Sequence, residues 1–356
     1  MRLQTGKTFN VALTADFFDA EGRPKYQDLG LSVFDSQPQI RHRRFDEHRP
    51  KIGPDQIDGV QGVIVLTPSV TAETVSRADD LLAIGRFGVG YDSVDVGACT
   101  DGDVAVFITA GAVDRSVAEA TVGWMIAIAH HVLVKDQLVR RGQWDARSHY
   151  MGSELRDRTL GVIGLGGIAR ATIELLRGFG MNRPLAFDPF LKPEDAERMG
   201  MRLVPLETLM QEADYVSVHC PLNEHTRGLI GGEQLARMKP TAYLINTARG
   251  GIVDEDALYG MLKDRRIAGA ALDCFAGEPV VAPHRFRDLE NVLLAPHSIA
   301  WTHELFRDIG RTVCQGMVDL SLRRMPKGVV NPAVFGRSGF QAKWKRLCGA
   351  VATGCK

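Results

Sequence analysis

A chain of 356 residues is long enough for two ordinary domains, each with its own core. Its 45% apolar and 24% charged residues exclude a disordered chain, and 43 basic side chains balanced by 43 acidic ones exclude a global pull toward nucleic acid or an anionic membrane. Six cysteines (Cys99, Cys220, Cys274, Cys314, Cys348 and Cys355) contain no C-x-x-C pair, which argues against a disulfide framework or a metal site and for reduced thiols in the cytoplasm.

The N-terminal stretch MRLQTGKTFNVALTADFF has too little continuous apolar length for a signal peptide. From there to about residue 110, short apolar or β-branched runs (FNVALTADF, GLSVFD, GVIVLTP, LLAIGRF, VAVFITA) alternate with helix-like composition such as SVTAETVSRADD. That alternation predicts a parallel α/β sheet. Ser116 and Glu119 match a capping box ahead of a helix running to about Arg141. Its most apolar window, from Ala120, is shorter than a membrane span requires and reads as buried.

A second α/β series follows, with strand-like runs TLGVIGLG, PLAFDPF, YVSVHCPL, AYLINTA, IAGAALDCF and NVLLAPHS. A helix beginning near Ile168 stops at Gly180. The last segment, from Gly336, is basic and weakly patterned, and reads as a mobile tail or a packing arm.

Gly164, Gly166, Gly167, Ile168 and Ala169 form G-x-G-x-x-A between a strand and a helix, a variant of the dinucleotide fingerprint. The first glycine permits the turn, the second lets backbone approach a pyrophosphate, and Ala169 allows close helix–strand packing. Asp188 ends the next strand near the offset of an acid that binds the ribose hydroxyls, with no arginine immediately following. The cofactor expected is therefore NAD rather than NADP.

Ligands of open α/β sheets bind beyond the carboxyl ends of the strands. There the later strands present Cys220 and Pro221; Thr247, Ala248 and Arg249; Asp273, with Glu278 shortly after; and His297. An imidazole can move a proton at neutral pH, a carboxylate beside it favours its charged form, and a guanidinium grips a carboxylate while polarising a carbonyl. This set suits reduction of a 2-oxo acid to a 2-hydroxy acid. Each residue also has an ordinary structural role open to it: Arg249 could pair with Asp254 or Glu255, and Asp188 could serve as a turn residue.

The segments GLGGIA, FDP, VHCPLNEHTRGLI, LINTARGGIVDEDAL, GAALDCFAGEP and NVLLAPH, in this order between about residues 60 and 332, closely resemble the D-isomer-specific 2-hydroxyacid dehydrogenases. Within them the chain looks most like the phosphoglycerate dehydrogenase and glycerate/hydroxypyruvate reductase branch. The resemblance implies two Rossmann-like domains with the active site in a cleft between them. A substrate domain of residues 1–110 would be completed by 303–335, residues 111–302 would bind NAD, and 336–356 would be a tail. It further implies a catalytic set of Arg249, Glu278 and His297, with Arg249 also holding substrate. Asp273 would hold the nicotinamide carboxamide, Gly167 and Ile168 would meet the pyrophosphate, and Cys220, Pro221, Thr247 and Ala248 would line the cofactor pocket. Val89 and Gly90 would offer backbone donors to a small anionic substrate, and the helix after Ser116 would contribute to a homodimer interface.

Two departures bear on the substrate: Ile108-Thr-Ala-Gly111 stands where the family has Asn-x-Pro-Gly, and Trp301 occupies a usually small position. Arg115 and the run Arg41, His42, Arg43, Arg44 are candidate partners for a substrate phosphate. The alternatives are a formate- or phosphonate-dehydrogenase-like enzyme and an NAD(H)-sensing corepressor-like protein; the complete Arg–Glu–His set counts against both.

Overall fold

The structure, a computed structural model, describes residues 7–348. The chain divides into two compact units, Met1–Val113 together with Thr302–Lys356, and Asp114–Trp301.

In the first unit, β1 (Phe9–Leu13), β2 (Ile40–Arg44), β3 (Gly62–Val65), β4 (Ala83–Arg86) and β5 (Ala105–Ile108) form a parallel sheet in the order β2-β1-β3-β4-β5. The inner strands β1, β3 and β4 are largely apolar and buried on both faces. β2 is different, and its identity corrects the sequence reading. GLSVFD contributes only a 3₁₀ turn at Leu31–Phe34, while the second strand is the charged run IRHRR. As an edge strand bonded only to β1, it needs no apolar alternation, and its exposed cations discourage pairing with a further strand. The helix-like segment after residue 68 likewise yields only a 3₁₀ turn, Thr74–Arg77. Helix α1 (Val96–Asp101) is capped by Asp95, whose Oδ1 accepts the Ala98 N–H at 2.8 Å.

The second unit opens with α2 (Asp114–Ala129) and α3 (Val132–Arg140), two helices bent by 59° where one was expected. The break is tertiary in origin. The chain at Gly152–Ser153 crosses the end of α2, and the Ser153 N–H takes the Ala129 carbonyl at 2.9 Å; His131 then turns through the left-handed region at φ 53°. The predicted capping box does not form. The helix starts at Asp114, and Glu119 instead accepts from Arg115 Nε one turn earlier at 2.5 Å. Among the described residues no single helix is long and apolar enough to cross a membrane.

There follow β6 (Leu160–Ile163), α4 (Gly167–Leu175), β7 (Leu185–Phe187), α5 (Pro193–Arg198), β8 (Arg202–Leu203), α6 (Leu206–Glu212), β9 (Tyr215–Val218), α7 (Gly232–Ala236), β10 (Tyr243–Asn246), α8 (Glu255–Lys263), β11 (Gly269–Leu272) and β12 (Val292–Leu294). The strands form a parallel sheet in the order β12-β11-β10-β9-β6-β7-β8. Alternate residues separate two cores. Val216, Val218, Leu244, Ala270 and Leu272 meet Leu209, Leu235 and Leu258 on one face. Tyr215, Tyr243, Ile245 and Ala271 meet Met125, Ala169 and Ala196 on the other. After β8 the chain returns to the far side of β6, which places the topological switch between β6 and β9.

The first unit is completed by α9 (His303–Ser321) and α10 (Ser338–Cys348). α9 lies so close to the five-stranded sheet that a Cβ at Gly62 would be 2.5 Å from Met317 Sδ, and one at Gly85 2.7 Å from Val313 Cγ2. The basic C-terminal segment is a packing arm as far as Cys348. Phe340 and Trp344 are buried, Trp344 donates to the Leu320 carbonyl, and Lys343 Nζ lies within 2.7–3.1 Å of the carbonyls of Ala78, Leu81, Gly102 and Asp103. The rest of that segment, including Cys355, lies outside the described residues.

Candidate active site

Strand register builds one functional edge in the second unit. Leu294 of β12 pairs with Leu272 of β11, Leu272 with Asn246, Asn246 with Val218, Val218 with Ile163, and Ile163 with Phe187. The strands therefore end level with one another. The residues that follow, Gly164, Asp188, Cys220, Thr247, Asp273 and His297, line the same edge.

At the switch point, Gly164 adopts φ 87°, and a Cβ there would sit 2.8 Å from Cys220 N. Nothing lies within 4 Å of a Cβ at Gly166, and no side chain caps α4 there. The first-turn N–H groups of α4 thus meet open space beside a tight glycine turn, which fits a dinucleotide pyrophosphate. Asp188 fills the turn role considered for it. Its Oδ2 accepts the Leu165 N–H at 2.9 Å, bracing the glycine turn, and its Oδ1 accepts the Phe190 N–H at 2.9 Å. Asp114, absent from the sequence candidates, lies against Gly167 beside the glycine turn, and burial raises its carboxyl.

His219 and Ser217 were also not singled out. Ser217 Oγ and His219 Nε2 are 2.9 Å apart, and burial pushes that imidazole down to about 4, so it adds no charge to the edge at neutral pH. Pro221 accepts the Thr226 hydroxyl at 2.6 Å, and Thr247 Oγ1 lies 3.4 Å from Thr121 Oγ1.

The turn bearing Arg249 is laced by buried Asn246, which accepts the Ala248 N–H at 3.0 Å and donates to the Arg249 carbonyl at 2.9 Å. Arg249 Nη1 donates to the Ala248 carbonyl at 2.8 Å. Asp254 caps α8 through the N–H groups of Asp256 and Ala257, while Glu255 accepts the Ala276 N–H at 2.6 Å and reaches His284 at 3.4 Å. The two acids proposed as structural partners for Arg249 thus have work of their own. The glycine pair also does more than turn the chain. Gly251 has φ 79°, but Gly250 is required by proximity, since a Cβ there would be 1.9 Å from the Phe275 carbonyl oxygen. The Arg249 turn and the Glu278 loop are therefore pressed backbone to backbone.

His297 Nδ1 lies 2.7 Å from Glu278 Oε2, and Glu278 Oε1 accepts the Phe275 N–H at 2.8 Å. Burial by itself would raise the Glu278 carboxyl; hydrogen bonds from His297 and Phe275 and the charges of His297 and Arg249 outweigh it and hold the group below its ordinary value. An ionised carboxylate only accepts, so Nδ1 carries the proton and Nε2 is left for chemistry. His297 itself sits at φ 53°, outside the comfortable range of a non-glycine residue. Asp273 holds it there: its carbonyl accepts the His297 N–H at 2.8 Å, and its Oδ1 accepts the Ser298 and Ile299 N–H groups at 2.8 and 3.1 Å. Burial raises the Asp273 carboxyl. Trp301, about half exposed, closes the same turn through its N–H to the Ser298 carbonyl.

In the first unit, Val89 and Gly90 follow β4, and among the described residues neither donates its N–H to a protein acceptor. Beside them, Gly88 accepts the Thr109 N–H at 3.0 Å, and Thr109 Oγ1 is buried without a hydrogen-bond partner among the described residues. Arg41, His42, Arg43 and Arg44, suggested as phosphate partners, do not assemble around this turn: they lie on β2, separated from β4 by two intervening strands. In the second unit, Arg115 is engaged by Glu119.

Comparison with known proteins agrees with this geometry. A family model described as the D-isomer specific 2-hydroxyacid dehydrogenase, NAD binding domain, matches residues 122–298. The glyoxylate reductase of Korarchaeum cryptofilum is 38% identical over 275 residues, covering 76% of this chain and 82% of the relative. The D-3-phosphoglycerate dehydrogenase of Methanocaldococcus jannaschii is 40% identical over 263 residues, covering 74% of this chain; the match spans 50% of that longer relative. The crystal structure of a glyoxylate reductase from Paecilomyes thermophila superimposes with a TM-score of 0.78 at 26% identity, covering 92% of this chain and 99% of the other.

Proposed function

This chain belongs to the D-isomer-specific 2-hydroxyacid dehydrogenases and is an NAD(P)-binding oxidoreductase of 2-hydroxy acids, and we propose that it works through Arg249, Glu278 and His297 on a small anionic substrate of the glyoxylate or glycerate type. The observation that carries this reading is the His297–Glu278 pair, 2.7 Å apart, on the strand edge that also bears Arg249 and the glycine turn.

Gly164, Gly166, Gly167 and Ile168 would receive the pyrophosphate at the start of α4, and Asp188 the ribose hydroxyls, which favours NAD over its 2′-phosphorylated form. Cys220, Pro221, Thr247, Ala248 and Asp273 would border the rest of the cofactor. When bound, the nicotinamide supplies the two-electron redox chemistry at substrate C2. In reduction, His297 Nε2 delivers a proton to the C2 oxygen; in oxidation it removes one, while Glu278 keeps Nδ1 protonated and the ring aimed. Arg249 binds the substrate carboxylate and draws electron density from the C2 carbonyl. The N–H groups of Val89 and Gly90 in the first unit would offer an anion nest to a carboxylate.

The test is NADH oxidation across glyoxylate, hydroxypyruvate, phosphohydroxypyruvate and branched 2-oxo acids, repeated with NADPH. Turnover is expected with NADH and the small acids, with the phosphorylated acid no better than hydroxypyruvate. Tight NADH binding without turnover on any panel member would favour a dinucleotide sensor instead.

The proposed partner in assembly is a second copy of the chain. Along α3 and the segment after it, Val132, Leu133, Val139, Trp144 and Met151 are 49–79% exposed, a density of large apolar side chains that water-facing surfaces seldom carry. Trp144→Glu is expected to convert a dimer into a monomer by sedimentation velocity. An unchanged sedimentation coefficient would exclude this face as the interface.

A further inference from the structure

Cys274 follows Asp273 at the end of β11 and has no part in the chemistry above. It is 2% exposed, and its Sγ lies 3.3 Å from the Ala248 carbonyl oxygen, on the side of the Arg249 turn. Its sulfur, a Glu278 carboxylate oxygen and a His297 ring nitrogen all lie within 4.8 Å of one another. We propose that Cys274, Glu278 and His297 form a binding site for a thiophilic divalent cation of the zinc class, and that its occupation takes His297 out of proton transfer.

The donor set is the argument. One thiolate, one imidazole and one carboxylate match the ligands zinc prefers, at bond lengths of about 2.0–2.3 Å. Tetrahedral bonds of that length separate donors by about 3.5 Å. The thiol already sits within reach of both partners, so the rearrangement is small: His297 Nδ1 and Glu278 Oε2 need only open from their 2.7 Å hydrogen bond. The exposed sides of His297 and Glu278, whose side chains are 42% and 32% accessible, provide the approach. Three protein donors leave a fourth position for water or a substrate oxygen. No sequence spacing signals this site, because its donors come from a strand end, the following loop and the next strand end.

The protons balance simply. The cation displaces the Sγ proton of Cys274 to solvent and takes Nδ1 of His297, whose single ring proton moves to Nε2, while Glu278 exchanges a hydrogen bond for a metal bond. Binding therefore strengthens as pH rises and weakens as it falls. No redox step is involved. The inhibitory consequence rests on the catalytic reading of His297; the metal site itself does not.

The experiment titrates the full chain with Cd²⁺, following the ultraviolet thiolate-to-cadmium charge-transfer band, and in parallel measures Zn²⁺ inhibition of NADH-dependent turnover and its reversal by a chelator. Each variant is referred to its own metal-free rate. The expected result is a band saturating at one ion per chain, absent from the difference spectra of Cys274→Val and Cys274→Ser, with Zn²⁺ inhibition weakened at least about tenfold in both. Two substitutions guard against a folding defect in either one. A band or an inhibition constant indifferent to both would overturn the site. A Cys274-dependent band without inhibition would uphold the site and overturn the role given to His297.

Discussion

Replacing His297 by asparagine should lower kcat for 2-oxo acid reduction by about 10²–10⁴-fold while leaving KM and the NADH dissociation constant nearly unchanged. The reasoning is geometric. His297 stands at the end of its strand with Nδ1 committed to Glu278 at 2.7 Å, leaving Nε2 as its proton-transfer atom. Asparagine approximates the hydrogen-bonding outline of Nδ1 but moves no proton, so the loss falls on the chemical step. Stopped-flow single turnovers separate that step from binding; a kcat within tenfold of wild type would remove His297 from the mechanism.

The companion change, Glu278→Gln, tests how the proton is held. Glutamine can still accept the Phe275 N–H, so the loop should survive, but the ring loses the carboxylate that fixes its Nδ1 proton and its aim. Reduction should therefore slow in kcat with KM nearly unchanged. The carboxylate also leaves a signature in stability. Because the folded-state carboxyl lies below its unfolded value of 4.5, its stabilising contribution is fully present above that pH and disappears as pH falls through the lowered folded value. Wild type and Glu278→Gln should then differ in melting temperature at neutral pH and converge in strong acid.

The second large effect is expected at Gly250→Ala. The added methyl group would lie 1.9 Å from the Phe275 carbonyl oxygen and 2.5 Å from Ala276 N, both backbone atoms that cannot swing aside. Either the Arg249 turn or the Glu278 loop must move, at a cost of about 1–3 kcal/mol in stability. The movement also disturbs the Glu255 bond to Ala276 N–H and the Glu278 bond to Phe275 N–H, so kcat/KM should fall more than about tenfold. Gly251→Ala is the control. Its φ of 79° brings backbone strain, but the nearest atom to its Cβ, Arg227 Nη1, is 3.5 Å away, so it should cost stability with a much smaller kinetic loss. Melting curves and steady-state rates measured on the same preparations decide the matter. Wild-type kinetics in Gly250→Ala would mean that the two segments are not held together as described.

The candidate site was legible as a set of strand-end residues because its signals are local. A strand, a glycine turn and a helix adjoin one another around Gly164, and Arg249, Asp273 and His297 each lie one to three residues beyond a short apolar strand. Parallel pairing then carries such positions to one edge as a matter of topology. The structure added the reason for several of these residue types. Asp188 braces the turn that its neighbour forms, and Asp273 holds His297 in a backbone conformation uncommon for non-glycine residues.

Sequence alone determined an α/β chain with a dinucleotide turn and an Arg–carboxylate–His set at strand ends, because hydropathy and glycine spacing report local backbone states and burial. Tertiary structure decided what depends on a distant neighbour. β2 is a charged strand because it lies at the sheet edge with Arg41–Arg44 exposed, which hydropathy cannot register. The long helix breaks after Ala129 because Gly152–Ser153 passes over its end. Gly250 is glycine because residue 275 touches it, and Cys274 stands beside His297 because the paired strands β11 and β12 end level. Contacts between residues far apart in the chain leave no periodic trace in either segment, so only the folded chain brings them into view.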